Sequence, residues 1–447
     1  MEDITSHLTV FANVDAAWQP CGQLSMVEYS DGGVDSAFEY EPSYLGARHA
    51  FELDPSDLSF EKAKERPGQP LRPSRRLSSF GALRDASPDA WGRRVIEAKL
   101  GDAENSLPEA AYLLHAGGQR VGAIDVRATN QDQFVDSACR LEDLPDLIEG
   151  AICIEEHRSV PEQCTSIFEC GASLGGARPK ACVRDDDDTL MLAKFSCAND
   201  RFNMPAVESA TLNMAANIGL CVPRVKATAV NGHSVMLIDR FDRSWSRENE
   251  AATRRGTRDP ADDSSPHIEH RIPFISALTL LGCDERSSLG ASYIGLASVM
   301  RDYCNQSVLG FDLVELYRRI IFNIFVTNDD DHLRNHGFLY DSSLRTWRLS
   351  PLYDVLPSPR VGSERYLHLK LGGEGRLATL DNAVSRCDAF GLDEYEAYML
   401  IGSVWEVVEH WRNYFGADGV KEGDMDYIAS AIRHIDNIST EELRRCV

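Results

Sequence analysis

From residue 313 to residue 354 the chain carries one ordered run of signals that admits few folds: a helix, an acidic loop, a hairpin and a second acidic turn. Apolar residues at Leu313, Leu316, Tyr317, Ile320, Ile321, Ile324 and Phe325 recur at the spacing that puts one stripe of a helix into a core. That helix leads directly into Asn328-Asp329-Asp330-Asp331-His332-Leu333-Arg334-Asn335, where three adjacent carboxylates exceed what packing requires and ask for a cation nearby. Residues 336–340 and 346–349 read as two strands of a hairpin, separated by the turn composition Asp341-Ser342-Ser343. The hairpin ends at Ser350-Pro351-Leu352-Tyr353-Asp354, which returns a second acidic residue beside the first loop.

A chemical need matches this layout. Phosphoryl transfer requires a carboxylate to orient the attacking hydroxyl and take its proton, and oxygen ligands to hold Mg²⁺ between the phosphates. Protein kinases meet it with an Asp, an Asn five residues later and an Asp after the next hairpin, and Asp330, Asn335 and Asp354 have that spacing. A solvated loop whose carboxylates cap turns is the plainer reading of a triple Asp taken alone. The ordered helix and hairpin around it favour the catalytic one.

At 447 residues there is room for two or three domains and a sizeable core. A net charge of −24 argues against a broad electrostatic grip on nucleic acid, which needs clustered Lys and Arg, although it leaves room for a local patch. The twelve cysteines include no C-x-x-C pair, so neither a zinc finger nor a small disulfide scaffold is indicated, and free thiols in a reducing cytosol are expected. Residues 1–10 hold no signal-peptide core, and no window approaches the ~18 to 20 apolar residues of a membrane span. A soluble cytoplasmic protein without membrane contact is the expectation.

Along the chain, residues 8–11 and 36–40 read as strands of a small sheet with Asp31-Gly32-Gly33 as a turn between them. Residues 61–76 are rich in Lys, Arg, Pro and Gly and read as an exposed loop, with a basic binding arm as the alternative. Ser87 as N-cap and Pro88 at the first position open a helix through Trp91; further helices run to residue 116, then 120–127 reads as a strand and 141–154 as a helix. The small-residue loop from Phe168 to Lys180 lets main-chain N–H groups point at anionic oxygens, and Lys180 adds charge there, although Gly-Gly by itself more often marks a turn. A hairpin follows, 181–184 and 190–195 around an acidic turn, and its alternation faces Lys194 inward, where a lysine is costly unless an anion receives it. The next helix, from Pro205 to before Gly219, carries Glu208 in its first turn, either complementing the helix dipole or pairing with Lys194. Strands 225–230 and 234–238 flank Asn231-Gly232, the preferred two-residue hairpin turn. They lead into Asp239-Arg240-Phe241-Asp242-Arg243, the natural hinge if the chain is a bilobal kinase. Residues 244–270 read as a mobile insertion, and helices dominate beyond it.

Together these residues resemble the HipA-type toxin kinases of bacterial toxin–antitoxin systems. The segment from Ser173 to Lys180 is similar to that family's S-x-G-G-x-x-P-K phosphate loop, and Arg240-Phe241-Asp242-Arg243 to its R-F-D-R hinge. Asn328, Asp330, His332 and Asn335 fit its N-x-D-x-H-x-x-N catalytic loop, and Pro351-Leu352-Tyr353-Asp354 its metal-binding P-x-Y-D. Trp91 and Val121-Gly122-Ala123 resemble its N-terminal region, so the likeness spans most of the chain. It departs at Arg334, where lysine is frequent, and at the hinge acid, Asp239.

The resemblance implies an α+β, bilobal protein-kinase-like fold: a small β-rich N-terminal subdomain over residues 1–130, a kinase N-lobe over 131–243 and an all-helical C-lobe over 244–447. It implies a serine/threonine protein kinase using ATP and Mg²⁺, with Asp330 and Lys194 catalytic and Asn335 and Asp354 on the metal. Ser173, Gly175, Gly176, Lys180, Lys194, Glu208, Asp239, Phe241 and His332 are then expected on the nucleotide, with Ser173 also the site of autophosphorylation. A helix-turn-helix antitoxin of the HipB type is the expected partner, with operator DNA reached mainly through it, alongside a protein substrate that no motif names. Two other classes stand beside this one: a non-catalytic component that holds an antitoxin on DNA, and a small-molecule phosphotransferase sharing the carboxylate geometry.

Overall fold

A computed structural model describes residues 3–74, 77–129, 138–173, 175–247, 254–255, 267–360 and 362–447. Leu174 of the glycine-rich loop, Arg75 and Arg76 of the basic segment and most of the 244–270 insertion lie outside the described residues. Two compact units result, one comprising Met1–Cys197, Ala229–His233 and Leu237–Gly282, the other Ala198–Thr228, Ser234–Met236 and Cys283–Val447.

In the first unit β1 (Ile4–Val14), β2 (Ala17–Glu28) and β3 (Val34–Tyr40) follow one another antiparallel, and β4 (Ile124–Ala128) closes the other edge, giving the order β3-β2-β1-β4. Leu8, Val10 and Ala12 are buried on one face of β1 by the two-residue period of a strand, while Arg127 lies 4.1 Å over the Phe11 ring on the other. The long β2 escapes a sequence reading because Pro20 and Gly22 look like breakers. The register slips at that point, pairing Val10 with Gly22 and Phe11 with Pro20, and the bulge accommodates a residue that has no N–H to donate. The helix expected from Pro88 begins instead at Ala90 and runs to Leu100, with Asp89 in the N-cap position. Trp91, Val95 and Ile96 are fully buried along it.

A second sheet has the order β5-β6-β7-β9-β8, built from β5 (Cys139–Arg140), β6 (Lys180–Arg184), β7 (Leu190–Phe195), β8 (Val225–Val230) and β9 (His233–Asp239). Asn231 and Gly232 take positive φ values of 50° and 85°, the double left-handed turn that matches strand twist. The expectation that all the cysteines are free is corrected. Cys139 on β5 and Cys170, at the end of the Ile167–Cys170 helix, come within a Cα separation of 6.2 Å and form a disulfide. The other ten remain thiols.

The mobile insertion is corrected at its ends, where β10 (Arg243–Arg247) pairs with β12 (His267–Arg271) and with the short β11 (Arg254–Arg255) in a ribbon ordered β11-β10-β12. Its polar composition hid a pairing held by backbone hydrogen bonds. After it, β13 (Phe274–Ser276) and the Ala277–Leu280 helix are tied to buried Asp85, whose carboxylate accepts from the Ser276 N–H, the Ser276 hydroxyl and the Thr279 hydroxyl, each at 2.7 Å.

The second unit is centred on the helix Leu309–Val326, whose stripe Leu313, Leu316, Tyr317, Ile320, Ile321, Ile324 and Phe325 is buried throughout. Its all-helical character is corrected by a hairpin, β14 (Gly337–Asp341) and β15 (Thr346–Leu349), paired antiparallel. The Asp341 carboxylate makes the turn by accepting from the Ser343 and Leu344 amides, and Arg348 pairs with Asp312 at 2.7 Å to hold the hairpin on the helix. The helices Met204–Asn217, Tyr293–Tyr303 and Glu394–Val408 belong to the same unit. Among the described residues no helix is long and apolar enough to cross a membrane.

Candidate functional site

The three successive carboxylates are given three different environments by the turn that ends the 309–326 helix. Thr327 leaves that helix in the left-handed region, at φ 50°, and the chain reverses. Asp329 is half-buried and pairs with Arg360, 2.6 Å away. Asp330 is exposed. Asp331 is 2% exposed and points inward, where one of its oxygens accepts from the Tyr293 hydroxyl, from Asn323 Nδ2 at 2.8 Å and from the His336 ring at 3.0 Å. Burial pushes the Asp331 carboxyl up, but the adjacent His336 and these hydrogen bonds outweigh it and hold the group below its usual range. The cation that the triple Asp asked for is thus supplied at Asp329 by Arg360, while Asp331 is answered by neighbouring donors.

Asp330 is framed by its own backbone. Its carbonyl accepts from the His332 N–H at 2.8 Å and from Asn335 Nδ2 at 3.1 Å. The Asn335 amide is therefore oriented with its nitrogen committed to that carbonyl. Asp354 is exposed and sits in the left-handed region at φ 59°, a conformation uncommon for non-glycine residues that Asp tolerates better than most. Tyr353 beside it donates to the Arg334 carbonyl at 2.7 Å, and Arg334 in turn donates to Glu285. Among the described residues no three His, Cys, Asp or Glu side chains gather as a metal site. One amide oxygen and one carboxylate still suit Mg²⁺, which takes few protein ligands and completes its octahedron with water and phosphate oxygens. His332 faces the ring of His368, 5.9 Å away, and its Nδ1 is buried without a partner. Glu208 is buried in the 204–217 helix.

The first unit carries the other expected residues. From Gly175 to Lys180 the glycine-rich loop is fastened to the 90–100 helix: Trp91 donates its indole N–H to the Lys180 carbonyl at 2.8 Å and its amide to the Gly176 carbonyl at 3.0 Å, and Arg94 donates to the Ala177 carbonyl at 2.6 Å. Gly176 sits at φ 81°, a backbone conformation that strains an L side chain, so glycine suits the position; the Lys180 Nζ that a Cβ would meet is the end of a flexible side chain and could move aside. Its N–H donates to the Asp89 carboxylate at 3.0 Å, so a side-chain anion stands where the sequence suggested a phosphate oxygen. Lys180 donates to the Gly175 carbonyl, and Lys180 and Lys194 are cross-strand partners, both buried. Ser173 is 5% exposed with its hydroxyl buried and unpartnered.

In the Asp239–Arg243 segment the structure reveals contacts that sequence reasoning missed. Arg240 grips Asp242 at 2.8 and 2.7 Å and reaches the Gln119 and Arg120 carbonyls at 3.1 Å, Arg243 adds a second ion pair at 2.8 Å, and the Gly122 N–H donates to Asp242 at 2.7 Å. The Arg240-Phe241-Asp242-Arg243 motif is thereby bolted to the Val121-Gly122-Ala123 segment, the two stretches lying about 120 residues apart. Burial pushes the Asp242 carboxyl up, yet the two guanidinium groups overcome this and hold it far below the carboxylate range. Arg271, buried next to Arg243, is pushed down to about 9. The Arg240 N–H is taken by the Leu190 carbonyl and the Asp242 carbonyl by the Ile272 N–H, with Asp239 buried and Phe241 half-buried between.

A mixed α+β chain with a glycine-rich loop on a sheet, and an Asp-Asn loop that enters a hairpin ending in Tyr-Asp, has the parts of a kinase-like protein. Residues 172–411 match the model of the HipA-like C-terminal domain, more than half of the chain, and the protein belongs to that family. It is 23% identical over 375 residues to “Putative kinase Y4mE” of Sinorhizobium fredii, with 80% of each chain covered. The HipA chain of the Shewanella oneidensis complex of HipA, HipB and operator DNA superposes with a TM-score of 0.64 at 15% identity, covering 98% of this chain and 96% of that one, which shows a shared fold.

Proposed function

We propose that this protein is a serine/threonine protein kinase acting as the toxin of a toxin–antitoxin pair. The observation that carries this reading is the sorting of three adjacent carboxylates: Asp329 neutralised by Arg360, Asp331 buried among donors, and Asp330 alone presented to solvent beside an oriented Asn335. Asp330 receives the proton of the attacking hydroxyl, and Asn335 and Asp354 offer oxygens to Mg²⁺. Lys180 and Lys194, with Ser173, Gly175 and Gly176, serve the phosphates, Asp239 and Phe241 serve the base, and Glu208 and His332 are further proposed nucleotide-site residues. Bound Mg-ATP would supply the transferable phosphoryl group. Ser173 is the proposed autophosphorylation site; with its hydroxyl buried, the loop must open before the group can be modified, and phosphosite mapping after prolonged incubation with Mg-ATP checks it. By likeness to the family, a helix-turn-helix antitoxin is the proposed partner.

Asp330→Asn keeps the shape and removes the accepting charge. Transfer of labelled phosphate from ATP to protein should fall by roughly 10²- to 10⁴-fold while ATP affinity stays within about twofold. Undiminished transfer in this variant would remove Asp330 from the mechanism, and phosphate appearing on a metabolite rather than on protein would favour the small-molecule reading.

A further inference from the structure

We propose that Tyr293 is a positioning residue for phosphoryl transfer: with Asn323 and His336 it fixes Asp331, and through Asp331 it sets the places of Asp330 and Asn335. This rests on the kinase reading above and adds a group that no motif contains.

Tyr293, Asn323, Asp331 and His336 are each at most 2% exposed. Their donors reach one carboxylate oxygen from three separate pieces of chain, the start of the 293–303 helix, the last turns of the 309–326 helix and the residue before β14. Asn323 is itself oriented, since its Oδ1 accepts from Asn328 Nδ2 at 3.1 Å and its carbonyl accepts from the Asn328 N–H at 3.0 Å. The entry, the middle and the exit of the loop are therefore tied to one buried point. Tyr293 is anchored from behind, where its N–H donates to the Lys370 carbonyl at 3.0 Å and the Lys370 N–H donates to the Ala291 carbonyl at 3.1 Å. Burial and the Asp331 charge raise the tyrosine pKa, which keeps it a donor.

A buried carboxylate ringed by donors adds little net stability over a well-packed apolar group, so folding alone does not account for it. Geometry does. With Asp331 fixed inward, the preceding peptide carries Asp330 outward, and the Asp330 carbonyl holds Asn335. Freeing Asp331 lets that peptide rotate and displaces both groups, and displacements near 1 Å cost on the order of 10²-fold in rate.

The test compares Tyr293→Phe, Asp331→Asn and Asp330→Asn in the full-length chain. Turnover, KM for ATP, Mg-ATP affinity, melting temperature and amide hydrogen exchange at residues 329–335 of the nucleotide-free protein are measured. Tyr293→Phe should lower kcat about 10-fold and Asp331→Asn about 100-fold, with KM and affinity within twofold and faster exchange confined to the loop. A merely structural role lowers the melting temperature and leaves kcat per folded molecule and loop exchange unchanged. Should Tyr293→Phe fail to fold, His336→Gln, which retains a donor for the same oxygen, is expected to keep most of kcat, and His336→Leu to lose about 10-fold. Parental kcat in folded Tyr293→Phe and Asp331→Asn, or equal kcat in the two His336 variants, overturns the positioning role. Undiminished kcat in Asp330→Asn instead removes Asp330 from the mechanism, and failure of the parent to transfer phosphate from Mg-ATP to protein refutes the kinase reading itself.

Discussion

Asp242 accepts from Arg240, Arg243 and the Gly122 amide at once, all within the protein interior. Because its pKa is depressed on folding, the stability it contributes is fully present above its unfolded value of about 3.9 and is lost as pH falls toward the lower folded value. Asp242→Asn should therefore destabilise the first unit by roughly 3–5 kcal/mol at pH 7, since two buried guanidinium groups lose their counter-charge. It should also flatten the acid limb of stability below about pH 4. Urea midpoints at pH 7 and pH 3 check both; equal midpoints for variant and parent would show the network to be dispensable. The sequence suggested a hinge here through the segment's place after the 225–238 hairpin, but the anchorage of these residues on Gln119, Arg120 and Gly122 was not legible, because nothing local marks partners so distant in the chain. For the same reason Tyr293 and Asn323 went unseen: an isolated tyrosine and asparagine on helices signal nothing until a buried carboxylate arrives beside them.

Elements with one strong periodic face were legible, and those defined by pairing were not. The 309–326 helix follows from its apolar stripe, and the 225–239 hairpin from Asn-Gly, whereas β2 and the β10–β12 ribbon depend on partners that complete them. The glycine-rich loop shows both kinds of control: its descending half is fixed by the 90–100 helix, and its ascending half starts at Cys170, cross-linked to β5. A closed loop of 31 residues restricts the unfolded chain, so Cys139→Ser together with Cys170→Ser should cost about 2–4 kcal/mol under oxidising conditions. A reductant should bring the parent to the same value. Thiol titration of the unfolded, unreduced parent should find ten free groups; twelve would show that the bridge does not form.

For the whole molecule, a charge of −24 bears on the proposed partnership with DNA. Purified alone, the protein should shift duplex DNA weakly at ~150 mM salt, where non-specific phosphate contacts are already reduced, and addition of its helix-turn-helix antitoxin should restore tight binding. Sequence-specific nanomolar shifts by this chain alone would contradict the division of labour, and residues 62–76 would then be the first to mutate. The sequence by itself determined the order of the parts, because periodicity, turn chemistry and motif spacing are local properties: a core helix, an Asp-Asn loop, a hairpin, a second Asp, and before them a glycine loop and an inward lysine. Only tertiary structure decided which carboxylate of three faces solvent, that Asp89 occupies the Gly176 amide, that two cysteines meet and that Asp242 is bolted to Gly122. Each of these is a choice among chemically equivalent groups, and such choices are made by burial and by distant hydrogen-bond partners, which no single stretch of sequence contains.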